Sequence, residues 1–327
     1  MGALGLGPGP PSGLTAWRVD RIGQLRMGAA EPRGGLTLAA RAALIDELEA
    51  LSRNPDIYGA ILEGAFDLED APAGLDAAPA NELADAYQGL WRADRFAKPL
   101  VALMAGPIAW PAAAVAINGT HKVADPAAVF AITEVARGRP PGWGASYHLP
   151  ALPHSLGLYL TLTGATVDSA LLYRLGWLTH RIPESQFATI KARLAAADPV
   201  DPLLDELDIG PGPSALDPYL GTIERCFSAE GPRDIIARLD ATNGPNADWA
   251  RRTANTIWAM PMPTLEAIHR LLSRHAQPSL RDGLIQDFHI ASGWPGAEPD
   301  LEAVKALAGQ HPSGDLILAS LSPPSIS

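Results

Sequence analysis

The sequence predicts an α/β fold followed by an all-helical C-terminal region. Over the first half of the chain, short apolar runs suited to buried strands alternate with amphipathic helical patterns, and this alternation favours a layered α/β architecture. From residue 155 onward, helical patterns dominate. A stretch rich in Pro, Gly and Asp at 198–215 separates the two regions and is typical of a domain boundary.

The first elements follow from apolar spacing and from helix-breaking residues. Residues 17–27 alternate loosely between apolar and polar side chains, which indicates a strand. Thr37 is a suitable N-cap for the next helix, whose apolar residues recur at helical spacing until Pro55 ends it. We expect a short buried strand at 58–62 and a second helix at 82–96.

The following elements are more uniformly apolar. Residues 98–104 predict a buried strand, and the small side chains of Ala112 to Ile117 predict a tightly packed helix. Short strands are expected at 123–124 and 129–131. The later helical patterns lie at 155–163, 168–175, 184–197, 216–228, 231–240, 246–258, 263–274 and 278–291.

These patterns predict four regions along the chain. The first residues are rich in Gly and Pro and carry no charged side chain, so they match neither a secretory signal nor an Arg-rich transit peptide. We expect a disordered tail at 1–14, an α/β core at 15–200, a helical region at 201–312 and a final tail at 313–327. A cytoplasmic location is expected.

Composition excludes several classes of function. The net charge of −11 argues against a nucleic-acid surface, which needs a basic face. Cys226 is the only cysteine, so an intrachain disulfide and a thiolate metal cluster are excluded, and we expect a small buried side chain. No apolar run approaches the roughly 18 residues of a membrane span, so no membrane association is expected.

Five collinear segments carry a family resemblance. They read KPLVALMAG at 98–106, VADPAAVFAITEVARG at 123–138, and LPALPHSLGLYLTLTGATVDSALLYRLGWLTHRI at 149–182, followed by IERCFS at 223–228 and MPTL at 262–265. The chain resembles the crotonase (enoyl-CoA hydratase/isomerase) superfamily over roughly residues 15–312. The last two segments are similar to the "I-x-x-C-F" and "SPTSL" segments of its 3-hydroxyisobutyryl-CoA hydrolase branch.

The resemblance implies a fold, a reaction and a ligand. The implied fold consists of repeated ββα units that form two roughly perpendicular sheets surrounded by helices. The implied reaction is hydrolysis of a 3-hydroxyacyl-CoA thioester in branched-chain amino-acid (valine) breakdown. Coenzyme A would enter as part of the substrate, with no separate cofactor and no metal. Trimers and hexamers are frequent in the superfamily, so a homo-oligomer is left open.

In this family two backbone N–H groups hold the thioester oxygen, where negative charge develops during attack. By resemblance the first donor falls on Leu68, but Glu69 and Asp70 replace the glycines that follow it and add negative charge beside an oxyanion. The second donor falls on Pro111, beside Trp110. Proline has no backbone N–H, so this donor is lost.

The carboxylates of the family site are incomplete in this chain. The acid/base position falls on Glu134, a residue type that can exchange protons with water or substrate. The second carboxylate of the hydrolase branch is replaced by Gly142, and the next residue is Trp143. The second glutamate of hydratases falls on Ala114. Neither the hydrolase pair nor the hydratase pair is therefore complete.

Three functions remain open on these residues. The chain is either a divergent hydrolase of the branch, a noncatalytic protein that binds a CoA ester or a partner, or an enzyme with hydratase or isomerase chemistry. Trp110 and Trp143 replace small residues, and they either remodel the acyl pocket or fill it. His121, His148, His154 and His180 lack metal-site spacing and predict packing or surface positions.

Overall fold

The computed structural model describes residues 13–28, 38–64, 80–273 and 279–293. These residues form two compact units. The first comprises the described residues up to Phe130 together with Val167–Ser214, and the second comprises Ala131–Thr166 together with the described residues from Ala215 onward. Thr37 and most of both predicted tails lie outside the described residues, and the predicted domain limits stay predictions.

The strands form two sheets. They are β1 (Leu14–Val19), β2 (Ile22–Met27), β3 (Gly59–Gly64), β4 (Leu100–Met104), β5 (Pro107–Ala109), β6 (His121–Ala124), β7 (Val129–Ala131), β8 (Thr166–Asp168) and β9 (His180–Arg181). The larger sheet has the order β1-β2-β3-β4-β6-β9, and the smaller has the order β5-β7-β8. In the larger sheet β1 is antiparallel to β2, and every other neighbouring pair is parallel.

The described residues also form thirteen α-helices, and the last five make up the C-terminal part. They are α1 (Leu38–Arg53), α2 (Ala80–Asp94), α3 (Trp110–Ile117), α4 (Ala145–His148), α5 (Leu156–Thr163), α6 (Ser169–Arg174), α7 (Phe187–Ala195), α8 (Val200–Leu207), α9 (Leu220–Phe227), α10 (Pro232–Asp240), α11 (Ala247–Trp258), α12 (Met262–Leu272) and α13 (Leu280–Gly293). The α/β class with a helical C-terminal region is thus confirmed. In the described part of the chain, every helix is too short or too polar to cross a bilayer.

One local prediction was wrong, and one helix was not predicted. Residues 17–27 are not one strand, because a turn at Asp20, whose φ is 50°, separates β1 from β2 and lets them pair as a hairpin. Asp tolerates this left-handed conformation better than most residues. The predicted boundary stretch 198–215 contains a helix, α8, that the sequence patterns did not predict. Pro199 is the N-cap of α8 and Pro202 lies in its first turn, where proline removes no intrahelical hydrogen bond.

The core of the first unit lies between one face of the larger sheet and the helices α7 and α8. Its members are fully or almost fully buried aliphatic residues together with Phe187. The sheet contributes Ile22, Ile61, Val101, Leu103 and Val123, and the chain after β9 contributes Ile182, Ile190, Leu194, Val200, Leu203 and Leu204. Removal of this apolar surface from water is the main term that holds the sheet and the two helices together.

An ion-pair network around the largely buried Glu63 carboxylate ties the same layers together. Glu63 on β3 lies opposite Arg26 on β2, and its carboxylate accepts hydrogen bonds from Arg26 Nη2 at 2.7 Å and from Lys191 Nζ at 2.8 Å. Burial alone would raise the pKa of the Glu63 carboxyl. The hydrogen bonds and charges of Lys191 and Arg26 outweigh burial, so this pKa lies below its ordinary value.

Replacement of Glu63 by Gln is expected to lower the free energy of unfolding by about 1–2 kcal/mol at pH 7, because charge-assisted hydrogen bonds become neutral ones. A carboxyl with a depressed folded-state pKa stabilises the fold above its unfolded value of 4.5 and loses that contribution as the pH falls through the folded value. The difference between the wild type and Glu63→Gln should therefore shrink at acidic pH, as urea unfolding at pH 7 and pH 4 will measure.

Glu49→Gln is the matched control, because the Glu49 side chain is 27% exposed whereas that of Glu63 is 9% exposed. Its effect should stay below roughly 0.5 kcal/mol. A Glu63→Gln effect of the same size at both pH values would contradict the role assigned to the charge.

Candidate functional site

The start of α3 lies where the resemblance places the second oxyanion donor. The N-cap is Ala109, with extended backbone angles, and Pro111 lies in the first helical turn. Proline is favoured there because its fixed φ suits the helix and an N–H in that turn would have no partner within the helix. Pro111 is therefore well placed for helix formation, but it supplies no hydrogen-bond donor.

The carbonyl of Pro111 is also engaged. Arg41, which is 4% exposed on α1, donates a hydrogen bond from Nη2 to the Pro111 oxygen at 2.7 Å. A buried guanidinium needs polar partners, since an unsatisfied charge in the interior is costly. This contact joins α1 to the first turn of α3 and fixes the backbone at the altered position.

Trp110 belongs to an aromatic cluster in the first unit. Its ring is 2% exposed and stacks on Trp177 with a centroid distance of 5.6 Å and an interplanar angle of 12°. Phe130 packs against Trp177 with its edge, at 6.2 Å and 63°. Offset stacked and edge-to-face pairs are the preferred aromatic geometries. The large side chain at this position therefore packs on other rings of its own unit.

The remainder of α3 is closely packed. All its residues are buried, and Ala114 has no exposed surface. The Asn118 side chain donates from Nδ2 to the Ala114 carbonyl at 2.8 Å and supports the last turn. A methyl group at position 114, where the resemblance places the second hydratase glutamate, has no acid/base chemistry.

Glu134 lies in the second unit, at the start of a short 3₁₀ turn, Glu134–Arg137, that follows β7. Both oxygens of its carboxylate are buried. The turn ends at Gly138, whose φ of 68° is left-handed and favours glycine. Burial also lowers the pKa of the nearby Arg139 guanidinium from its usual value. The acid is thus held in a short, tightly turned segment and is withdrawn from bulk water.

The MPTL segment holds this turn. Thr264, in the first turn of α12, has no exposed surface, and its hydroxyl donates to the Gly138 carbonyl at 3.1 Å. The contact spans 126 positions of sequence. The MPTL segment, which the sequence distinguishes only through its resemblance, therefore has a local structural role: it fixes the backbone at the end of the Glu134 turn.

The other resemblance segment of the helical region is a packing element. Cys226 is buried, as predicted. The neighbouring Phe227 on α9 is 1% exposed and packs edge to face on Tyr159 of α5, with ring centroids 5.3 Å apart at 88°. Burial raises the pKa of the Tyr159 hydroxyl to about 12. These residues join α9 to α5 in the core of the second unit.

Gly142 and Trp143 form a turn just before α4. Trp143 is 6% exposed and has a φ of 61°, and Gly144 follows with a φ of 89°. A bulky residue in the left-handed region is uncommon and costs about 1 kcal/mol or more. Gly142, where the resemblance places the second hydrolase carboxylate, brings no carboxylate to this turn.

A buried acid on α13 contacts this turn. Asp287 is 1% exposed, and its Oδ2 accepts hydrogen bonds from the backbone N–H of Gly144 at 2.8 Å and of Ser146 at 3.4 Å. Burial raises the pKa of Asp287 to about 7, although hydrogen bonds from the 144–146 backbone and the Ser146 side chain act in the opposite direction.

Three of the histidines singled out in the sequence pair with carboxylates. The pairs are His121–Asp201 at 2.8 Å, His154–Glu224 at 3.0 Å and His180–Asp205 at 3.3 Å. His148 lies on α4 with its ring 5.0 Å from that of Tyr147. Among the described residues, no group of three or more His, Cys, Asp or Glu has the arrangement of a metal site.

Comparison with known proteins identifies the family. Residues 66–308 match the model of the family described as Enoyl-CoA hydratase/isomerase. The chain belongs to the enoyl-CoA hydratase/isomerase family. A solved structure of a carnitinyl-CoA dehydratase from Mycobacterium thermoresistibile has a TM-score of 0.77 at 22% identity and covers 97% of this chain and 98% of its own. That likeness confirms the crotonase-like fold.

Curated relatives are similar over part of the chain. A probable 3-hydroxyisobutyryl-CoA hydrolase 3 of Arabidopsis thaliana is 30% identical over 74% of this chain and 67% of its own length. The 3-hydroxyisobutyryl-CoA hydrolase 1 of the same plant is 31% identical over 54% of this chain and 49% of its own length. The small ribosomal subunit protein mS47 of Schizosaccharomyces pombe is 27% identical over 64% of this chain and 52% of its own length. The chain thus spans about half to two thirds of these relatives.

In this member of the enoyl-CoA hydratase/isomerase family, the predicted site residues divide between the two units. Trp110, Pro111 and Ala114 lie together on α3 in the first unit, and Glu134, Gly142 and Trp143 lie in the second. Leu68, Glu69 and Asp70, predicted around the first oxyanion donor, lie outside the described residues.

Sequence reasoning missed Asp287 and the roles of Arg41 and Thr264. For Asp287 a signal existed. Leu280, Leu284 and Ile290 form a buried stripe on α13, and Asp287 falls on that stripe at helical spacing. A charged residue in an apolar stripe indicates a buried, partnered acid.

Replacement of Thr264 by Val is expected to cost about 1–3 kcal/mol of stability, because the shape is kept while the buried Gly138 carbonyl loses its donor. Thr264→Ser retains the hydroxyl and should lose less. Thermal unfolding and amide exchange of residues 134–139 will measure both effects. Equal exchange in the Val and Ser variants would contradict the role of the hydroxyl.

Proposed function

We propose that this chain is a divergent acyl-CoA thioester hydrolase related to the 3-hydroxyisobutyryl-CoA hydrolases, with Glu134 as its acid/base residue. The observation that carries the proposal is the burial of both Glu134 carboxylate oxygens on a turn fixed by Gly138 and Thr264. Relatives about 30% identical that are named 3-hydroxyisobutyryl-CoA hydrolases support the substrate class.

The proposed reaction needs a carboxylate, that of Glu134, held beside the attacking water, and a thioester carbonyl that can accept negative charge. Glu134 would take a proton from water as the water oxygen attacks the thioester carbon. When the tetrahedral intermediate collapses, the carbon–sulfur bond breaks, and the same proton passes to the leaving coenzyme A thiolate. General acid–base catalysis of this kind typically contributes about 10²–10⁴-fold in rate. A carboxylate held on a rigid turn keeps its position through both proton transfers.

Slow turnover is expected. Pro111 supplies no N–H to the developing oxyanion, and loss of one such donor typically costs about 10²–10³-fold. Gly142 also removes the second carboxylate of the hydrolase branch. Both changes lower the rate without preventing binding of a CoA ester.

A second candidate function is noncatalytic binding of a CoA ester or a protein partner. It is favoured by the same two positions, Pro111 and Gly142, which remove catalytic groups and leave the fold intact. The relative named small ribosomal subunit protein mS47 shares 27% identity with this chain, so a role as an assembly component is compatible with this sequence family. Hydratase or isomerase chemistry is less favoured, because Ala114 lacks a carboxylate.

Thiol release from 3-hydroxyisobutyryl-CoA tests the proposal. We expect slow release of free coenzyme A by the wild type and a fall of at least about 10²-fold in Glu134→Gln, which keeps the shape and loses the base. Glu230→Gln, at an exposed position of the same unit, is the control and should match the wild type.

The other outcomes discriminate between the candidates. Equal turnover in Glu134→Gln would overturn the acid/base role. Calorimetric binding of the CoA ester without turnover would support noncatalytic binding of the ester. If the chain neither binds nor hydrolyses the ester, a role in binding a protein partner is the one left. Hydration of an enoyl-CoA without thiol release would indicate the hydratase chemistry.

A gain-of-function variant tests the cause of the slow rate. Pro111→Gly restores a backbone N–H in the first turn of α3, and Gly142→Asp restores the second carboxylate. Together they should raise thioester hydrolysis by about 10²-fold or more. Circular dichroism will control for folding. An unchanged rate in a folded double variant would contradict the view that these two positions limit catalysis.

A further inference from the structure

The turn that contains Trp143 has an unfavourable backbone. Two consecutive residues, Trp143 and Gly144, have left-handed φ values of 61° and 89°. Glycine accepts this conformation at little cost, but a tryptophan does not. Such a conformation persists only where surrounding contacts determine it, so the contacts around this turn decide where the Trp143 side chain lies.

Those contacts come from α13. The Ser146 hydroxyl donates to the Gly283 carbonyl at 3.0 Å. A Cβ at Gly283 would meet the Tyr147 Cβ at 2.8 Å, so only glycine allows α13 to approach α4 this closely. Leu280 lies 3.3 Å from the position of a Cβ at Gly144. The turn and α13 are therefore in close, specific contact.

Asp287 supplies the polar part of this contact. Its Oδ2 accepts from the Gly144 and Ser146 amides, the first and third after the strained residue. The amide between them, that of Ala145, donates to the Gly142 carbonyl at 3.1 Å. Amides at the start of a helix have no partner within it, so an external acceptor must satisfy them. A side chain of α13 thus completes the hydrogen bonding of a turn 143 positions earlier in the chain.

We infer that Asp287 is a positioning residue, which holds Trp143 in its left-handed conformation and thereby sets the position of the Gly142–Trp143 turn. The bearing of this turn on acyl-CoA chemistry rests on the proposed function. The positioning itself does not, because it follows from contacts within the second unit. Asp287 acts through the Gly144 and Ser146 amides and contacts no reacting atom.

Amide hydrogen exchange of residues 142–149, measured by mass spectrometry without substrate, tests the inference. In Asp287→Ala we expect exchange to rise about tenfold or more and the thermal midpoint to fall by roughly 5 °C, because buried amides lose their acceptor. Asp287→Asn should retain most of the protection, because both amides bond to a single oxygen and Asn presents an equivalent acceptor. Gln286→Ala, on the same helix, is the control and should leave the exchange of this segment unchanged.

A double-mutant cycle separates positioning from general stability. Trp143→Gly removes the backbone strain. The increase in exchange caused by Asp287→Ala should therefore be smaller by a factor of about three or more in the Trp143→Gly background than in the wild type. An equal increase in both backgrounds would overturn the inference, as would equal exchange in the Asn and Ala variants. If Asp287→Ala does not fold, Asp287→Leu, which keeps an apolar side chain of similar size, takes its place in the same cycle.

Failure of the proposed function is distinguishable from failure of this inference. Absence of thioester turnover leaves the exchange measurements intact. If turnover is found and Asp287→Asn and Asp287→Ala both keep the wild-type kcat and KM, the turn has no bearing on catalysis and that part of the inference is withdrawn.

Discussion

The second unit depends on hydrogen bonds between turns early in its sequence and helices late in it. Residues 131–166 contain several left-handed residues, and the turns at Gly138 and at Trp143–Gly144 each bond to one side chain of the C-terminal helices. The Thr264 hydroxyl binds the Gly138 carbonyl, and the Asp287 carboxylate binds the Gly144 amide. A buried backbone group without a partner costs about 1–3 kcal/mol. The helical region therefore determines the conformation of the segment that carries Glu134 and Trp143.

The need of buried backbone groups for partners also explains why the change at Pro111 differs from those at Gly142 and Trp143. A turn that lacks a partner can acquire one from a distant side chain, as Asp287 shows. Proline lacks the backbone N–H itself, and no contact made to its residue restores that donor. Arg41 stabilises the first turn of α3 through the Pro111 carbonyl, but a carbonyl contact adds no donor. The stability of this turn is therefore separate from the oxyanion role that the resemblance assigns to its position.

Sequence periodicity predicted most of the helices and the longer strands, because these elements have apolar spacings that repeat several times. It missed β5, β8 and β9, which have two or three residues each and show no period. It also missed α8, because Pro199 and Pro202 are typical of breaks and only their position in the first turn makes them compatible with a helix. For the candidate site, resemblance predicts roles for Glu134 and Pro111, but the partners that hold their turns are separated from them in sequence and follow no local pattern.

For Asp287, the local sequence predicts burial but not the hydrogen-bond donors. Helical spacing places it on the buried stripe of α13, which is enough to predict burial, and a buried carboxylate requires donors. Spacing alone does not say which donors, since they belong to a turn 143 positions away.

That contact is visible only in the tertiary structure, and it changes the interpretation of Trp143. In the sequence this residue is a bulky replacement beside a lost carboxylate. In the structure its backbone is strained, and the groups that offset the strain are contributed by the helical region. Residues 131–166 and the C-terminal helices of the second unit are therefore coupled through backbone geometry, and a change in those helices can alter the Gly142–Trp143 turn without a substitution in the turn itself.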